Sequence, residues 1–250
     1  MPNRLPIRDP RTVARDIPGI LDIIFPRLSG ALVSAMNRNM IQFACAQPVP
    51  GTLLADSTQQ RSTLFEIAVT LAESVLRDGR PLELTDCVEI ALQRQRRHYD
   101  ASDPQELSET DKKIIEQVSR NLVNMLKDFA LRRNFSEIVI RPNIPGFSWI
   151  GSGVGDFAIG NVLIEVKNTD RNFIASDYRQ ILLYWLLVYA RSMETNEPVW
   201  DNFLLINPRL NRSVYKSFDS VIQAASGGLN RLEVHEYLRA VIVGSKDTQK

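Results

Sequence analysis

The sequence predicts an α/β protein in which a helical N-terminal region precedes a mixed central sheet flanked by helices. Up to about residue 134, apolar residues return every three or four positions, which is the period of amphipathic helices. Beyond that point the period drops to two, as in strands, and from Glu109 onward the elements follow the order α-β-β-β-α-β. We therefore divide the chain into a helical region over 1–105, which would clamp a substrate or bind a partner, and an α/β domain with C-terminal helices over 106–250.

The N-terminal region contains three helical segments separated by Gly, Pro and polar residues. We expect helices over Ile20 to Cys45, interrupted or kinked near Pro26 and Gly30, over about Gln60 to Arg77, and from an N-cap at Thr85 to near Tyr99. Gly79 and Pro81 supply the stop signal of the second helix. The polar stretch from Asp100 to Ser108 is expected to be a linker or an exposed loop.

The α/β domain begins with a long amphipathic helix over Glu109 to Arg133. Three strands are then expected, over Glu137 to Arg141, Asp156 to Ile159 and Val162 to Lys167, and Gly160-Asn161 suits a tight hairpin between the last two. A helix capped by Ser176 follows to about Arg191, and then come a strand over Asn202 to Asn207 and helices near Ser217 to Ala225 and Leu232 to Val243.

Composition excludes several classes of protein. The 250 residues suffice to bury a sizeable core, and the net charge of +1 is not that of a general polyanion binder. Cys45 and Cys87 have no Cys or His neighbours at metal-ligand spacing, so zinc is not expected and both are read as buried thiols in a reducing compartment. No apolar run reaches the roughly 18 residues that span a bilayer, and no secretory signal is apparent, so we expect a cytoplasmic protein with no membrane partner.

Two acids and a lysine lie on the hairpin in a pattern that suits a divalent metal ion. Glu165 and Lys167 point to the same face of their strand because side chains alternate, and burial of Ile164 and Val166 would leave them displayed together. The hairpin returns Asp156 toward the same region. Two carboxylates and the backbone carbonyl of Val166 are hard oxygen ligands suited to Mg²⁺ or Mn²⁺, and such an ion favours phosphodiester hydrolysis.

These residues resemble the PD-(D/E)xK nuclease superfamily, in particular its RecB-like branch. The resemblance covers about 109–208 and is carried by three motifs, which are Gly153-Val154-Gly155-Asp156, Ile164-Glu165-Val166-Lys167 and Gln180-Ile181-Leu182-Leu183-Tyr184. It implies a restriction-endonuclease-like core and a Mg²⁺-dependent deoxyribonuclease, an endonuclease among the expectations, with a role in restriction or antiviral defence against phage. DNA is the expected nucleic acid, and RNA stays open.

The resemblance also implies a role for each motif residue. Asp156 and Glu165 would hold the metal, Lys167 would serve the attacking water, and Gln180 would contact the site or the substrate phosphate. Gln180 and Tyr184 share a helix face, so Tyr184 is a candidate substrate contact, although it suits a core aromatic equally. The upstream acid that many members carry on the preceding helix would be Glu116, with Glu137 as a weaker substitute.

Other interpretations of the same residues stay open. Glu-x-Lys alone also occurs on strands as a solubilising pattern, Glu116 suits a solvated helix face, and the basic run 93–98 suits either phosphate contacts or an exposed face. A catalytically silent module that binds nucleic acid or a partner protein is the alternative function. A nuclease subunit that becomes active only with a partner ATPase or sensor is another, and a homo-oligomer is compatible with either.

Overall fold

The computed structural model describes residues 7–57, 59–96 and 106–244 and has a mixed α/β architecture. Its helices are α1 (Pro10–Asp16), α2 (Pro18–Ile24), α3 (Gly30–Asn37), α4 (Gly51–Ala55), α5 (Arg61–Asp78), α6 (Leu84–Arg96), α7 (Glu109–Arg132), α8 (Ala175–Thr195), α9 (Phe218–Ser226) and α10 (Arg231–Gly244). Its strands are β1 (Val139–Ile140), β2 (Asn143–Ile144), β3 (Gly153–Val154), β4 (Phe157–Ile159), β5 (Val162–Val166), β6 (Asn202–Asn207) and β7 (Arg212–Ser217).

Five strands form one mixed sheet in the order β1-β4-β5-β6-β7, and β2 pairs with β3 in a separate ribbon. The β5–β6 pair is parallel, with α8 as the crossover, and the other neighbours in the sheet are antiparallel. Alternate residues of β5 enter different cores. Leu163 packs in the core that contains α8, whereas Ile164 and Val166 pack with Leu122 and other residues of α7. Helices therefore cover both faces of the central strand.

The predicted α/β class is confirmed. The elements of the main sheet and its helices, α7-β1-β4-β5-α8-β6, agree with the predicted order α-β-β-β-α-β, but the strands β2 and β3, which lie between β1 and β4 in the sequence, were not predicted. The hairpin lies where it was predicted, because Ile159 pairs with Val162 and Gly160 adopts φ +53° in the turn. Glycine is favoured at position 160 for two reasons. It readily adopts the positive φ, and any larger side chain would collide with the ring of Phe135. The predicted bounds of β6 agree with the structure.

The predicted helix over Ile20 to Cys45 is interrupted near Pro26 and Gly30, which is one of the two forms expected, but its second part ends at Asn37 rather than at Cys45. The helix ends at Ile24, because Pro26 cannot continue it, and a new helix begins at Gly30 with Ser29 as its cap. The short helix α1 was not predicted, although the sequence contains its N-cap residue, Asp9, followed by Pro10 at the first helical position. Asp9 accepts hydrogen bonds from the backbone N–H groups of Arg11 and Thr12, at 2.8 and 3.3 Å.

Strand β7 was missed as well, because its sequence is polar and weakly alternating. It pairs with β6 along its whole length, after a turn in which the side chain of Asn207 accepts hydrogen bonds from the backbone N–H groups of Arg209 and Leu210. Tertiary pairing thus decides the state of a segment that has little strand propensity of its own.

The N-terminal helices contribute to the same cores as the α/β region. Val13 and Leu21 lie in the core beneath α8, and Val69 and Ala72 of α5 lie in the core beneath α7. Residues 97–105 lie outside the described residues. They include the expected helix end near Tyr99, most of the expected linker and the stretch that leads up to the predicted boundary after residue 105.

Of the two free cysteines, Cys87 is buried but Cys45 is exposed, contrary to expectation. No helix in the described ranges is long and apolar enough to cross a lipid bilayer.

Candidate metal and catalytic site

Asp156 precedes β4 and lies alongside the end of β5, as the hairpin predicted. Its Oδ2 accepts a hydrogen bond from the backbone N–H of Val166 at 2.7 Å. This bond fixes the carboxylate beside the Glu165-Val166-Lys167 segment. Its other oxygen, Oδ1, lies 3.7 Å from the guanidinium of Arg11.

Glu165 is buried, with only 2% of its surface exposed. Its Oε1 accepts two hydrogen bonds, from Lys167 Nζ at 2.9 Å and from Gln180 Nε2 at 2.6 Å. Its Oε2 is buried and has no hydrogen-bond partner among the described residues. Glu165 and Lys167 lie together, as expected, but Glu165 is not displayed at the surface, because α8 covers the face of β5 from which it projects.

Lys167, Gln180 and Tyr184 extend this contact into a hydrogen-bonded chain. Lys167 Nζ also donates to Gln180 Oε1 at 2.8 Å, and Gln180 Nε2 donates to the Tyr184 hydroxyl at 2.9 Å. Gln180 and Tyr184 are both buried and lie one turn apart on α8. The structure therefore brings together Asp156, Glu165, Lys167, Gln180 and Tyr184.

Burial raises the pKa values of Glu165 and Tyr184 in this cluster. Burial, and then the neighbouring charge of Asp156, raises the pKa of Glu165 to about 7, while Lys167 and Arg11 act in the opposite direction. The pKa of Tyr184 is raised well above its ordinary value, first by burial and then by Glu165. Near neutral pH, Glu165 is thus poised between its two protonation states, which is a recurrent property of functional carboxylates.

The cluster forms part of the wall of a cavity of about 710 Å³. Residues of α1, α5, α6, the β5 end and the start of α8 line it. They are Asp9, Arg11, Thr12, Arg15, Gln60, Ser62, Phe65, Glu66, Val69, Arg94, Arg141, Val154, Asp156, Glu165, Val166, Lys167, Asn168, Arg171, Ser176, Asp177, Gln180 and Tyr184. This volume is typical of a small-ligand pocket.

The sequence analysis did not predict that Arg11 and Glu66 line this cavity. Arg11 reaches Asp156 from α1, and its own pKa is raised because Tyr184, Asp156 and Glu165 more than offset the burial that opposes its charge. Glu66 of α5 faces the same cavity, and its pKa is raised chiefly by burial. The Asp9-Pro10 helix start could have revealed α1, but no local signal shows that Arg11 meets Asp156.

Some predicted residues do not reach the site. Glu116 is exposed on α7 and does not line the cavity, and neither does Glu137, which is also exposed. Helix α7 turns its apolar face toward the sheet, so an acid on its polar face points away from the cavity, whereas Glu66 of α5 lines it. From the basic run 93–98, Arg94 lines the cavity and pairs with Glu73 at 2.6 Å, whereas residues 97 and 98 lie outside the described residues.

The site offers few ligands to a metal ion. Across 7–57, 59–96 and 106–244, no three His, Cys, Asp or Glu side chains are grouped so that they could hold one. Asp156 and Glu165 alone would have to be completed by the Val166 carbonyl and by water. The buried, unpartnered Oε2 of Glu165 fits such a role, because a carboxylate oxygen without a donor is costly to bury unless a cation or a proton satisfies it.

No protein-family model, curated protein or solved structure matches the chain.

Proposed function

We propose that this protein is a Mg²⁺- or Mn²⁺-dependent nuclease of the PD-(D/E)xK type, with a restriction-endonuclease-like core formed by α7 to β6. One observation carries the proposal. Asp156 and Glu165 meet at the cavity wall, where Glu165 keeps one buried oxygen free while Lys167 and Gln180 hold the other. DNA is the proposed substrate and the cytoplasm the proposed compartment, in keeping with a role in restriction or phage defence.

Asp156 Oδ1, Glu165 Oε2 and the Val166 carbonyl would hold the ion. When bound, the ion supplies Lewis-acid polarisation of a phosphoryl oxygen and lowers the pKa of a water. The protein itself does the positioning. The Val166 N–H orients Asp156, and the paired bonds from Lys167 and Gln180 orient Glu165 so that Oε2 faces away from them. This fixed geometry reduces the reorganisation needed during the reaction.

Lys167 is the nearest described cation to Glu165, and it can offset negative charge that develops on a phosphoryl group in the cavity. Gln180 fixes the direction of the ammonium, because its amide oxygen accepts from Lys167 while its amide nitrogen donates to Glu165. Tyr184 completes this arrangement by accepting a hydrogen bond from the Gln180 amide. We therefore assign Gln180 and Tyr184 to positioning.

The proposal is tested by cleavage of linear, circular and single-stranded DNA, and of RNA, with Mg²⁺ or Mn²⁺ and with EDTA. Asp156→Asn is expected to lower metal-dependent cleavage at least about 10³-fold, because the neutral amide cannot replace an anionic ligand. Glu116→Gln is the matched control, since it removes an acid that lies outside the cavity, and its activity should equal that of wild type.

Equal activity of Asp156→Asn and wild type would rule out catalysis at this site. Wild type that binds DNA but never cleaves it would point instead to a silent module. Cleavage that begins only after addition of a partner ATPase or sensor would identify a subunit of a larger nuclease. Mn²⁺ titration monitored by electron paramagnetic resonance provides a readout independent of cleavage, and Asp156→Asn should weaken the binding that wild type shows.

Arg11→Met is expected to lower cleavage about 10²-fold, because Arg11 is placed to contact a phosphate that lies next to Asp156. Arg11→Lys should recover only part of the activity, since lysine keeps the charge but lacks the planar, bidentate donor set. The measurement is kcat/KM of the folded variants. If Arg11→Met cleaves as fast as wild type, Arg11 has no part in the reaction and only balances the charge of Asp156.

A further inference from the structure

Arg209 is a buried arginine whose Nε lacks an acceptor. The residue follows β6 and is only 4% exposed. Its Nε is buried without a hydrogen-bond partner, and no hydrogen bond or ion pair joins its side chain to any residue in the described ranges. A buried guanidinium N–H without an acceptor is unfavourable, and the carboxylate whose charge acts on Arg209, that of Asp170, is exposed and already paired with Arg61, so Arg209 is suited to bind a further anion.

The surroundings of Arg209 add positive charge. Arg61, which pairs with the exposed Asp170, is close enough that its charge, after burial, lowers the pKa of Arg209. The pKa of Asp170 is in turn lowered, chiefly by its hydrogen bond from Arg61 and to a smaller extent by Arg209. Two guanidinium groups thus share one exposed carboxylate.

Arg61 is also the first residue of α5, an 18-residue helix whose cap residue Gln60 makes no side-chain capping bond. The backbone N–H groups of a helix's first turn, together with the helix dipole, favour an anion at this end. The end of α5 and the buried Arg209 are independent features that favour the same kind of ligand.

Arg209, Arg61 and the start of α5 lie beside the candidate catalytic site. The backbone N–H of Lys167 donates to the carbonyl of Ile206 at 2.8 Å, and the side chain of Asn207 donates to the carbonyl of Thr169 at 2.9 Å. The segments that carry Lys167 and Arg209 therefore run side by side. Gln60 and Ser62, at the start of α5, line the catalytic cavity itself.

We propose that Arg209, Arg61 and the first turn of α5 form a second phosphate-binding site, which holds a phosphodiester of the substrate strand one or two nucleotides from the one cleaved. The identification of that phosphate as substrate rests on the proposed function. The site would fix the register of the strand in the cavity while Asp156, Glu165 and Lys167 act on the neighbouring phosphate.

Binding is measured without metal, so that cleavage does not interfere. The affinity of the full chain for a short fluorescein-labelled single-stranded DNA is followed by fluorescence anisotropy in EDTA over a range of salt concentrations. Arg209→Met is expected to weaken binding about 10-fold at low salt and to reduce the salt slope by about one. Arg191→Met is the control, because Arg191 is exposed near the far end of α8 and does not line the cavity. It should bind as wild type does.

Thermal unfolding separates a binding role from a structural one. Loss of a buried charge whose side chain makes no hydrogen bond or ion pair should leave the Tm of Arg209→Met unchanged or raise it by about 2–4 °C. A lower Tm would show that Arg209 stabilises the fold and would overturn the proposal, as would DNA binding equal to that of wild type. The proposal also fails if inorganic phosphate raises the Tm of wild type while DNA affinity does not depend on Arg209.

A neutral methylphosphonate placed at each position of the DNA in turn locates the contact. One position should weaken binding to wild type and have no further effect on Arg209→Met, whereas position-independent losses would overturn the proposal. The outcome is separate from that of the cleavage assay. If DNA binding depends on Arg209 but the protein never cleaves DNA, the phosphate-binding site is supported and the nuclease function is rejected. If cleavage depends on Asp156 but DNA binding does not depend on Arg209, the nuclease function is supported and the phosphate-binding site is rejected.

Discussion

Glu165→Gln is expected to abolish metal-dependent cleavage, with a loss of at least about 10³-fold, while the protein stays folded. Glutamine has nearly the same shape as glutamate, and its oxygen can still accept from Lys167 and Gln180 as Oε1 does. Its amide nitrogen, however, would stand where the buried Oε2 is free and would repel a cation. The measurement is kcat/KM in Mg²⁺ and Mn²⁺, together with Mn²⁺ affinity.

The same substitution should change how stability depends on pH. The pKa of Glu165 is raised from its ordinary value of 4.5 to about 7, so the folded state holds this proton more tightly than the unfolded state does. Between those two values the folded protein binds more protons, and its stability therefore falls as the pH rises from about 4.5 to 7 and is level beyond. Glu165→Gln lacks this loss, so at pH 8 it should be more stable than wild type by about 1–3 kcal/mol.

Urea unfolding at pH 5 and at pH 8 tests this, with Glu116→Gln as the control, because Glu116 is an exposed acid whose removal should not alter the pH dependence. Addition of Mg²⁺ at pH 8 should stabilise wild type more than Glu165→Gln, since the variant keeps the carboxylate of Asp156 but lacks the second one. If Glu165→Gln is as active as wild type, Oε2 is not a metal ligand. If Glu165→Gln is less stable than wild type at pH 8, Oε2 is not a buried charge without a partner.

The parts of the site that sequence could predict are those joined by local geometry. The hairpin places Asp156 beside Val166 because the turn at Gly160 and the alternation of β4 and β5 are both visible in a dozen residues. The spacing of Gln180 and Tyr184 likewise fixes their shared face on α8. Arg11 and Glu66 could not be predicted, because only the packing of α1 and α5 around the sheet brings them to the cavity.

The burial of Glu165 was mispredicted although the sequence holds a signal for it. Val162, Ile164 and Val166 form one apolar face of β5, but Leu163 shares the other face with Glu165. A strand that is apolar on both faces is typical of the centre of a sheet that helices cover on both sides. The nearly continuous apolar run of α8 is the matching element, and together they predict a carboxylate that is enclosed rather than displayed.

Lys167→Met is expected to lower cleavage by about 10²–10⁴-fold, because it removes the ammonium that lies between Glu165 and Gln180. Methionine fills a similar volume, so the fold should survive. The loss has two distinct physical sources, since Lys167 both lowers the pKa of Glu165 and presents a positive charge to the cavity.

The pH dependence of Lys167→Met distinguishes these two roles. If Lys167 acts only through Glu165, its removal raises the pKa of Glu165 further, and activity should return as the pH rises far enough to ionise that carboxylate. If Lys167 acts directly on the water or the phosphoryl group, the loss persists at every pH. We expect the second result, because the Gln180 amide holds the ammonium in a fixed position at the cavity wall, and that constraint is unnecessary for a simple counter-charge. Recovery of wild-type activity at high pH would limit Lys167 to positioning Glu165.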